Sequence, residues 1–191
     1  MARLVAERGD VVPLLGEVFR RYGFEGASIA RITAGTSLGK GSLHHFFSGG
    51  QDEMAEAVLG HIRDWFEAEV FAPLEQDPPR EAIGQMLVSV DRYFRSGRRI
   101  CLVGAFALED TRDRFAAAVR GYFGRWLAVL SGALVRAGLE VAEADSLARA
   151  AVAGIQGALI LSRALDDTAP FTALLDGHRR VLLQALPEKP S

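Results

Sequence analysis

Apolar residues recur at intervals of three and four along nearly the whole chain, a spacing typical of amphipathic helices. The first such stretch carries an inward stripe made of Val11, Leu15, Val18, Phe19 and Tyr22. We expect this helix to begin at Asp10, because Pro13 fits best in a helix's first turn, and to end at Gly23. Since no segment alternates apolar and polar residues in steps of two, the pattern predicts an all-α protein.

Longer stretches with the same spacing fill the chain beyond residue 50. They predict helices over residues 51–72, 79–96, 112–137, 142–166 and 170–186, with a short apolar helix within 100–109. Prolines and glycines lie at the predicted ends of these helices. The chain therefore divides into a three-helix front end, residues 1–50, and a body of five or six helices, residues 51–191.

Residues 28–47 predict two short helices joined by a tight turn. Ser28 can cap the first helix through its hydroxyl oxygen, and Gly35 is expected to end it. Ile29 and Ile32 of the first helix are expected to face inward. The second helix is expected over residues 39–46, with Leu38 and Leu43 facing inward. The side chains left to face outward are Lys40, Ser42, His44 and His45. Two helices of this kind favour a helix-turn-helix, in which the second helix enters the major groove of DNA.

Three segments of the front end resemble the signature of the TetR/AcrR family of transcriptional regulators. They are residues 23–32, 38–47 and 54–58, and the resemblance spans roughly residues 10–59. It implies a double-stranded DNA operator as partner. The DNA-binding residues that it implies are Ser28, Lys40, Gly41, Ser42, His44 and His45.

Two positions depart from the pattern of this family. His44 stands where the family commonly has a phosphate-binding tyrosine, and Gln51 stands where it usually has a lysine. A neutral imidazole still donates one hydrogen bond, but the missing lysine removes one charge for phosphate. The resemblance therefore predicts operator binding with weakened phosphate contacts.

The resemblance also implies that the body binds a small, often hydrophobic effector and forms a homodimer through its last two long helices. Aromatic and methionine side chains suit such a pocket, because they adapt in shape. The predicted ligand-binding residues are Phe66, Met86, Val90, Phe94, Phe106, Phe123 and Trp126. The predicted dimer-interface residues are Ala151, Gly154, Ala158, Leu161, Leu174, His178 and Val181.

Charge, cysteine content and the length of apolar runs indicate which part of the chain contacts DNA and in which compartment the protein is found. The first 50 residues carry a net charge of +2 and the whole chain −2, so only the front end is expected to contact DNA. A single cysteine, Cys101, excludes a disulfide within the chain; a buried inert thiol and a redox sensor beside Arg98 and Arg99 both remain open. No apolar run reaches the roughly 20 residues of a membrane span. We expect a cytoplasmic protein with no membrane partner.

The sequence contains no motif for catalysis or metal binding. The four histidines are His44, His45, His61 and His178. None is spaced to share a helix face with another, so no metal site and no cofactor is expected. No nucleophile elbow or phosphate-binding loop is present. We predict a ligand-responsive transcriptional regulator, a repressor, and no enzyme. The alternatives are a helical small-molecule-binding or adaptor protein without DNA binding, or a small all-α enzyme.

Overall fold

The computed structural model describes residues 7–108 and 112–187, which are helical and contain no strand. The helices are α1 (Arg8–Gly26), α2 (Ile29–Thr36), α3 (Lys40–Phe46), α4 (Gly50–Phe66), α5 (Ala72–Gln76), α6 (Pro79–Phe94), α7 (Leu102–Leu108), α8 (Ala116–Arg136), α9 (Val141–Leu165) and α10 (Ala169–Ala185). The prediction of an all-α chain is confirmed.

The chain forms two compact units. The first unit comprises Met1–Asp64 and Leu102–Val119, and the second comprises Trp65–Cys101 and Arg120–Ser191. The first unit thus contains α7 and the start of α8 as well as the front end of the chain. The functional boundary after residue 50 stays a prediction, because compactness divides the chain at other positions.

The core of the first unit is aromatic. The rings of Phe19 and Phe24 from α1 lie 6.0 Å apart, and both pack edge-on against Phe106 of α7, at 6.2 and 6.0 Å. Phe115 lies 5.3 Å from both Phe24 and Phe106. Residues more than 80 positions apart thus share one core. Arg114 stands over the ring of Phe24 and pairs with Asp52 of α4 at 3.0 Å.

Helix α1 begins earlier than predicted. Its N-cap position is Glu7, and the carboxylate of Asp10 accepts a hydrogen bond from the Glu7 N–H at 3.1 Å. Pro13 therefore lies inside the helix, beyond its first turn. The predicted break at Gly23 is confirmed as a kink, since Gly23 takes φ 70°, a left-handed conformation that glycine adopts at little cost.

The predicted helix over residues 51–72 is interrupted by a π turn. α4 ends at Phe66, a π-helical turn covers Glu67–Phe71, and α5 then runs on to Gln76. Pro73, which we expected to stop the helix, lies in the first turn of α5, where a missing N–H is tolerated. The spacing of apolar residues does not distinguish the i to i+5 hydrogen bonds of a π turn from those of an α-helix, so the sequence did not predict this turn.

Arginines from neighbouring helices bind the glutamates of this segment. Arg125 of α8 contacts Glu67 at 2.8 Å and Glu75 at 2.7 Å, and Arg92 of α6 pairs with Glu69. Hydrogen bonding to Arg125, followed by its charge, lowers the pKa of the Glu75 carboxyl. These exposed pairs orient the π turn more than they stabilise the fold.

The second unit is built around Phe66. Its ring has no exposed surface and contacts six other rings, at centroid distances of 4.8 to 6.2 Å. These belong to Trp65, Phe71, Tyr93, Phe94, Tyr122 and Trp126. The indole N–H of Trp126 points to the sulfur of Met86, 3.5 Å away. Aromatic packing of this kind adds dispersion and edge-to-face attraction to the burial of apolar area.

Candidate functional site

Helices α2 and α3 form the predicted helix-turn-helix. The Ser28 hydroxyl accepts a hydrogen bond from the Arg31 N–H at 3.4 Å, which confirms Ser28 as the N-cap of α2. The side chains of Ile32 and Leu43 are buried, at 1% and 0% exposure, and so face the core of the unit. The inward prediction is wrong for Ile29, which is 44% exposed, and Leu38 is half-buried. The turn between the helices passes through Ser37, which has φ 57°.

Gly35 does not end α2, as we had expected, but lies inside it. A Cβ at this position would come within 2.3 Å of the Val18 Cγ2 atom. The missing side chain therefore lets α2 approach α1 closely. The helix ends one residue later, at Thr36, whose hydroxyl donates to the Ile32 carbonyl at 2.7 Å.

The predicted DNA-binding side chains are all exposed. The exposed residues of α3 are Lys40, Gly41, Ser42, His44 and His45, and Ser28 is exposed at the start of α2. A Cβ on Gly41 would meet no atom within 4 Å, so packing inside the chain does not require glycine there. The contacts of these exposed residues with DNA stay a prediction.

Gln51 has a structural role that sequence reasoning missed. Its side-chain amide donates a hydrogen bond to the Phe24 carbonyl, just beyond the kink at Gly23. The kink leaves carbonyls at the end of α1 without helical partners. Because such carbonyls need donors, the glycine at position 23 was the sequence signal that could have pointed to a donor such as Gln51. The residue that replaces the family's lysine thus holds α1 to the start of α4.

Glu53 organises the entry into α4 in a similar way. Its carboxylate accepts from the Gly49 N–H at 2.9 Å and from Arg8 at 2.8 Å. The Arg8 guanidinium also lies 5.0 Å from the centre of the Phe47 ring. The segment that follows α3 is therefore fixed by contacts from both α1 and α4.

The structure brings six of the seven predicted ligand-binding residues into the second unit. Phe66, Met86, Val90, Phe94 and Trp126 are at most 1% exposed, whereas Phe123 is partly exposed. The seventh, Phe106, belongs to the core of the first unit, where it packs against α1. The role of these residues in binding an effector stays a prediction.

Two of the predicted interface residues lie inside their own chain. Ala151 and Ala158 are 1% and 4% exposed, because they face the core of their own chain. The exposed residues of α9 lie on the neighbouring stripe, mostly one position before the predicted ones in the sequence. Its exposed members are Ala150, Ala153, Gly157, Ile160, Leu161 and Ala164. Among the other predicted residues, Leu161 is 53% and Val181 51% exposed, and Gly154, Leu174 and His178 are half-buried.

Gly154 and His178 mark the crossing of α9 and α10. A Cβ on Gly154 would lie 2.6 Å from the His178 Nε2 atom and 3.3 Å from the Leu174 Cδ1 atom. Glycine is therefore needed for the imidazole to lie against α9. Nε2 is buried and has no hydrogen-bond partner among the described residues, and burial lowers the pKa of His178.

This burial predicts acid sensitivity. Unfolding exposes His178 and returns its pKa to about 6.5, so the unfolded chain binds the proton first. Stability is then retained above pH 6.5 and falls as the pH drops below it towards the lower pKa of the folded state. Urea unfolding at several pH values between 7.5 and 5 measures this loss. His178→Gln should lose less stability over that range, and an equal loss in both proteins would contradict the prediction.

Helix α9 carries a further ambiguity. By length and composition alone, Val141–Leu165 is long and apolar enough to cross a membrane, and 39% of its most apolar window is buried inside the chain. The pattern of apolar residues in the sequence did not predict this helix as a candidate span. Core helices of soluble proteins have the same properties, so the finding is weak evidence for a membrane span.

The part of the chain that the structure describes contains no group of three or more histidine, cysteine, aspartate or glutamate side chains able to hold a metal ion. Cys101 is 8% exposed and forms no disulfide. The chemistry offered by the described residues is recognition by hydrogen bonds, charge and apolar surface.

Comparison with known proteins shows which family this chain resembles. A family model of the C-terminal domain of LmrA/YxaF-like transcriptional regulators matches residues 79–176, just over half of the chain. The HTH-type transcriptional regulator Rv0196 of Mycobacterium tuberculosis (strain ATCC 25618 / H37Rv) is 28% identical over 180 residues, covering 90% of this chain and 92% of that protein.

Solved structures share the fold. A TetR transcriptional regulator from Legionella pneumophila aligns with a TM-score of 0.76 and 19% identity, covering 97% of this chain and all of that one. The TetR-family regulator CifR, a cysteine mutant solved with 26-base-pair operator DNA, aligns with a TM-score of 0.72 and 22% identity, covering 98% of this chain and 100% of that one. This chain therefore belongs to the TetR-type transcriptional regulators with an LmrA/YxaF-like C-terminal domain, a family of DNA-binding regulators and not of enzymes.

Proposed function

We propose that this regulator is a cytoplasmic repressor that binds a pseudo-palindromic operator as a homodimer. A small hydrophobic molecule, bound by the second unit, releases it from DNA. The observation that carries the proposal is the exposed polar side of α3, on which Lys40, Ser42, His44 and His45 all face outward.

The character of α3 supports major-groove binding. Its buried Leu43 anchors the helix, and its exposed side offers an ammonium, a hydroxyl and two imidazoles for base edges and phosphates. With glycine at positions 39 and 41, bulky side chains do not hold α3 away from the duplex. CifR, the structural relative with operator DNA, shows that this fold can bind a duplex.

The exposed apolar face of α9 and α10 supports a dimer. Ile160, Leu161 and Val181 expose 61%, 53% and 51% of their surface. Small residues beside them, such as Ala153 and Gly157, allow another helix to come close. A second copy covering this face would give two recognition helices, and a dimer reads half-sites about 34–36 Å apart. Cover by a second copy also accounts for the apolar character of α9 without a membrane.

The interior of the second unit supports a hydrophobic effector. The rings around Phe66, together with the flexible side chain of Met86, form an apolar interior. An effector can release DNA only by preferring the body conformation in which the two recognition helices are misplaced. The proposal therefore requires lower operator affinity when the effector is bound.

Lys40→Ala provides the direct test. We expect the purified protein to bind DNA from upstream of its own gene with sequence preference, as measured by fluorescence anisotropy. Lys40→Ala should weaken that binding about tenfold, because one phosphate or base contact is lost. It should also lower by about one the salt slope, which is the steepness with which the logarithm of the binding constant falls with the logarithm of the salt concentration. Arg63→Ala is the control, since it removes an equally exposed charge from α4, paired only with Asp64 at 2.8 Å. Equal affinities for Lys40→Ala and wild type would contradict the assignment of α3.

A further inference from the structure

We propose that a groove between α1 and α2 binds a phosphate of the DNA backbone, through Arg21 and Arg31, in addition to the contacts made by α3. The inference rests on the proposed operator binding. Neither arginine belongs to the residues that the family resemblance implies. The groove is open, has a volume of about 420 Å³, and is walled by α1 on one side and by α2 on the other.

The two guanidinium groups share one aromatic ring. Arg31 lies 4.4 Å and Arg21 5.3 Å from the centre of the Tyr22 ring. Cation–π attraction holds both groups at the mouth of the groove and so reduces the freedom that they would lose on binding an anion. Both arginines are exposed, and Tyr22 is half-buried between them and the core.

The positive charge of this pair is not neutralised by the chain. In the residues that the structure describes, neither Arg21 nor Arg31 pairs with a carboxylate. Glu17 lines the same groove, but it is bound by the buried Arg20 at 3.1 Å. Two like charges held near one ring repel each other, and an anion between them removes this repulsion.

The groove is continuous with the predicted DNA-binding surface. Arg31 lies three residues after Ser28 and donates its backbone N–H to the Ser28 hydroxyl. Its guanidinium also donates to the Gly26 carbonyl at 2.6 Å, which fixes the side chain beside the start of α2. A DNA strand that contacts Ser28 would therefore pass the guanidinium pair. A planar guanidinium can bind two phosphate oxygens at once, and most protein–DNA hydrogen bonds go to phosphate and sugar.

The close packing of α2 on α1 at Gly35 and Val18 makes the groove narrow. Because α2 has no side chain at Gly35, its backbone packs on Val18 of α1. Leu14, which is 44% exposed, forms an apolar end of the groove. The apolar end suits the deoxyribose next to a phosphate more than it suits a free inorganic anion.

The test compares Arg21→Gln and Arg31→Gln with wild type on two duplexes of equal length, the operator and an unrelated sequence, over a salt series. Each variant should weaken binding to both duplexes by a similar factor, about three- to tenfold, and lower the salt slope by about one. Arg63→Gln, the matched loss of charge, should leave the slope unchanged. Arg21 makes no hydrogen bond that folding requires, so its variant remains informative if Arg31→Gln alters the melting temperature.

Other outcomes would overturn the inference. Unchanged salt slopes in both variants, or a loss confined to the operator, would exclude a backbone contact at this groove. If wild type binds neither duplex, the proposed function itself fails; if wild type binds and Lys40→Ala weakens it while the arginine variants do not, only this groove is wrongly assigned.

Discussion

Replacing Phe66 by alanine will lower the free energy of unfolding by about 3–5 kcal/mol, the range for removing a fully buried phenylalanine. The side chain has no exposed surface and lies among six rings contributed by α4, the π turn, α6 and α8. Its loss removes edge-to-face contacts and leaves a cavity that rigid rings cannot fill.

Urea unfolding at fixed protein concentration measures this effect. A fixed concentration is needed because dimer formation shifts apparent stability. The control is Val88→Ala on α6, since Val88 is 48% exposed and its truncation should change stability by no more than about 0.5 kcal/mol. A loss below about 1 kcal/mol for Phe66→Ala would mean that the cluster repacks easily. Apolar compounds that raise the midpoint of Phe66→Ala would identify chemistry that the second unit accepts.

Placing a charge at position 161 should have the largest effect on DNA binding. Leu161→Arg puts a guanidinium on the exposed apolar face of α9, where a second copy would bury it without a partner. The protein should sediment as a monomer and lose about 100-fold or more in operator affinity, because the two recognition helices no longer bind as one unit. Affinity for an isolated half-site should be unchanged.

Val88→Arg is the matched control, because it adds the same charge at a similarly exposed apolar position on α6. Sedimentation velocity and anisotropy with full and half operators separate loss of the dimer from loss of DNA binding. A dimeric Leu161→Arg protein with wild-type operator affinity would place the interface elsewhere.

The helix-turn-helix could be predicted from local signals. Ser28 is a good N-cap, and Ile32 and Leu43 are apolar residues at inward positions between polar neighbours. Such signals act over one or two helical turns, so they can be read without knowing the rest of the fold. The aromatic core of the second unit was predictable for the same reason, since Phe94 and Trp126 recur on helical stripes.

The outward face of α9 could not be predicted in this way. Its inward residues Ala151 and Ala158 have the same small apolar character as its outward residues Ala153 and Gly157. A helix that is apolar on two sides shows no contrast by which to orient it. Only packing against α10, where Gly154 receives His178, decides which stripe faces the core. The place of Phe106 in the first unit could not be predicted either, because the pairing of α7 with α1 is a long-range contact.

The π turn has a geometric consequence for Arg125. Glu67 and Glu75 are eight residues apart, and in an uninterrupted α-helix their directions would differ by about 80°. The wider turn over Glu67–Phe71 takes up this excess, so that one guanidinium reaches both carboxylates. Deleting one residue from the turn would leave a seven-residue separation that regular winding already aligns, within about 20°. Insertion of a residue would instead rotate Glu75 away and leave Arg125 with a single anchor.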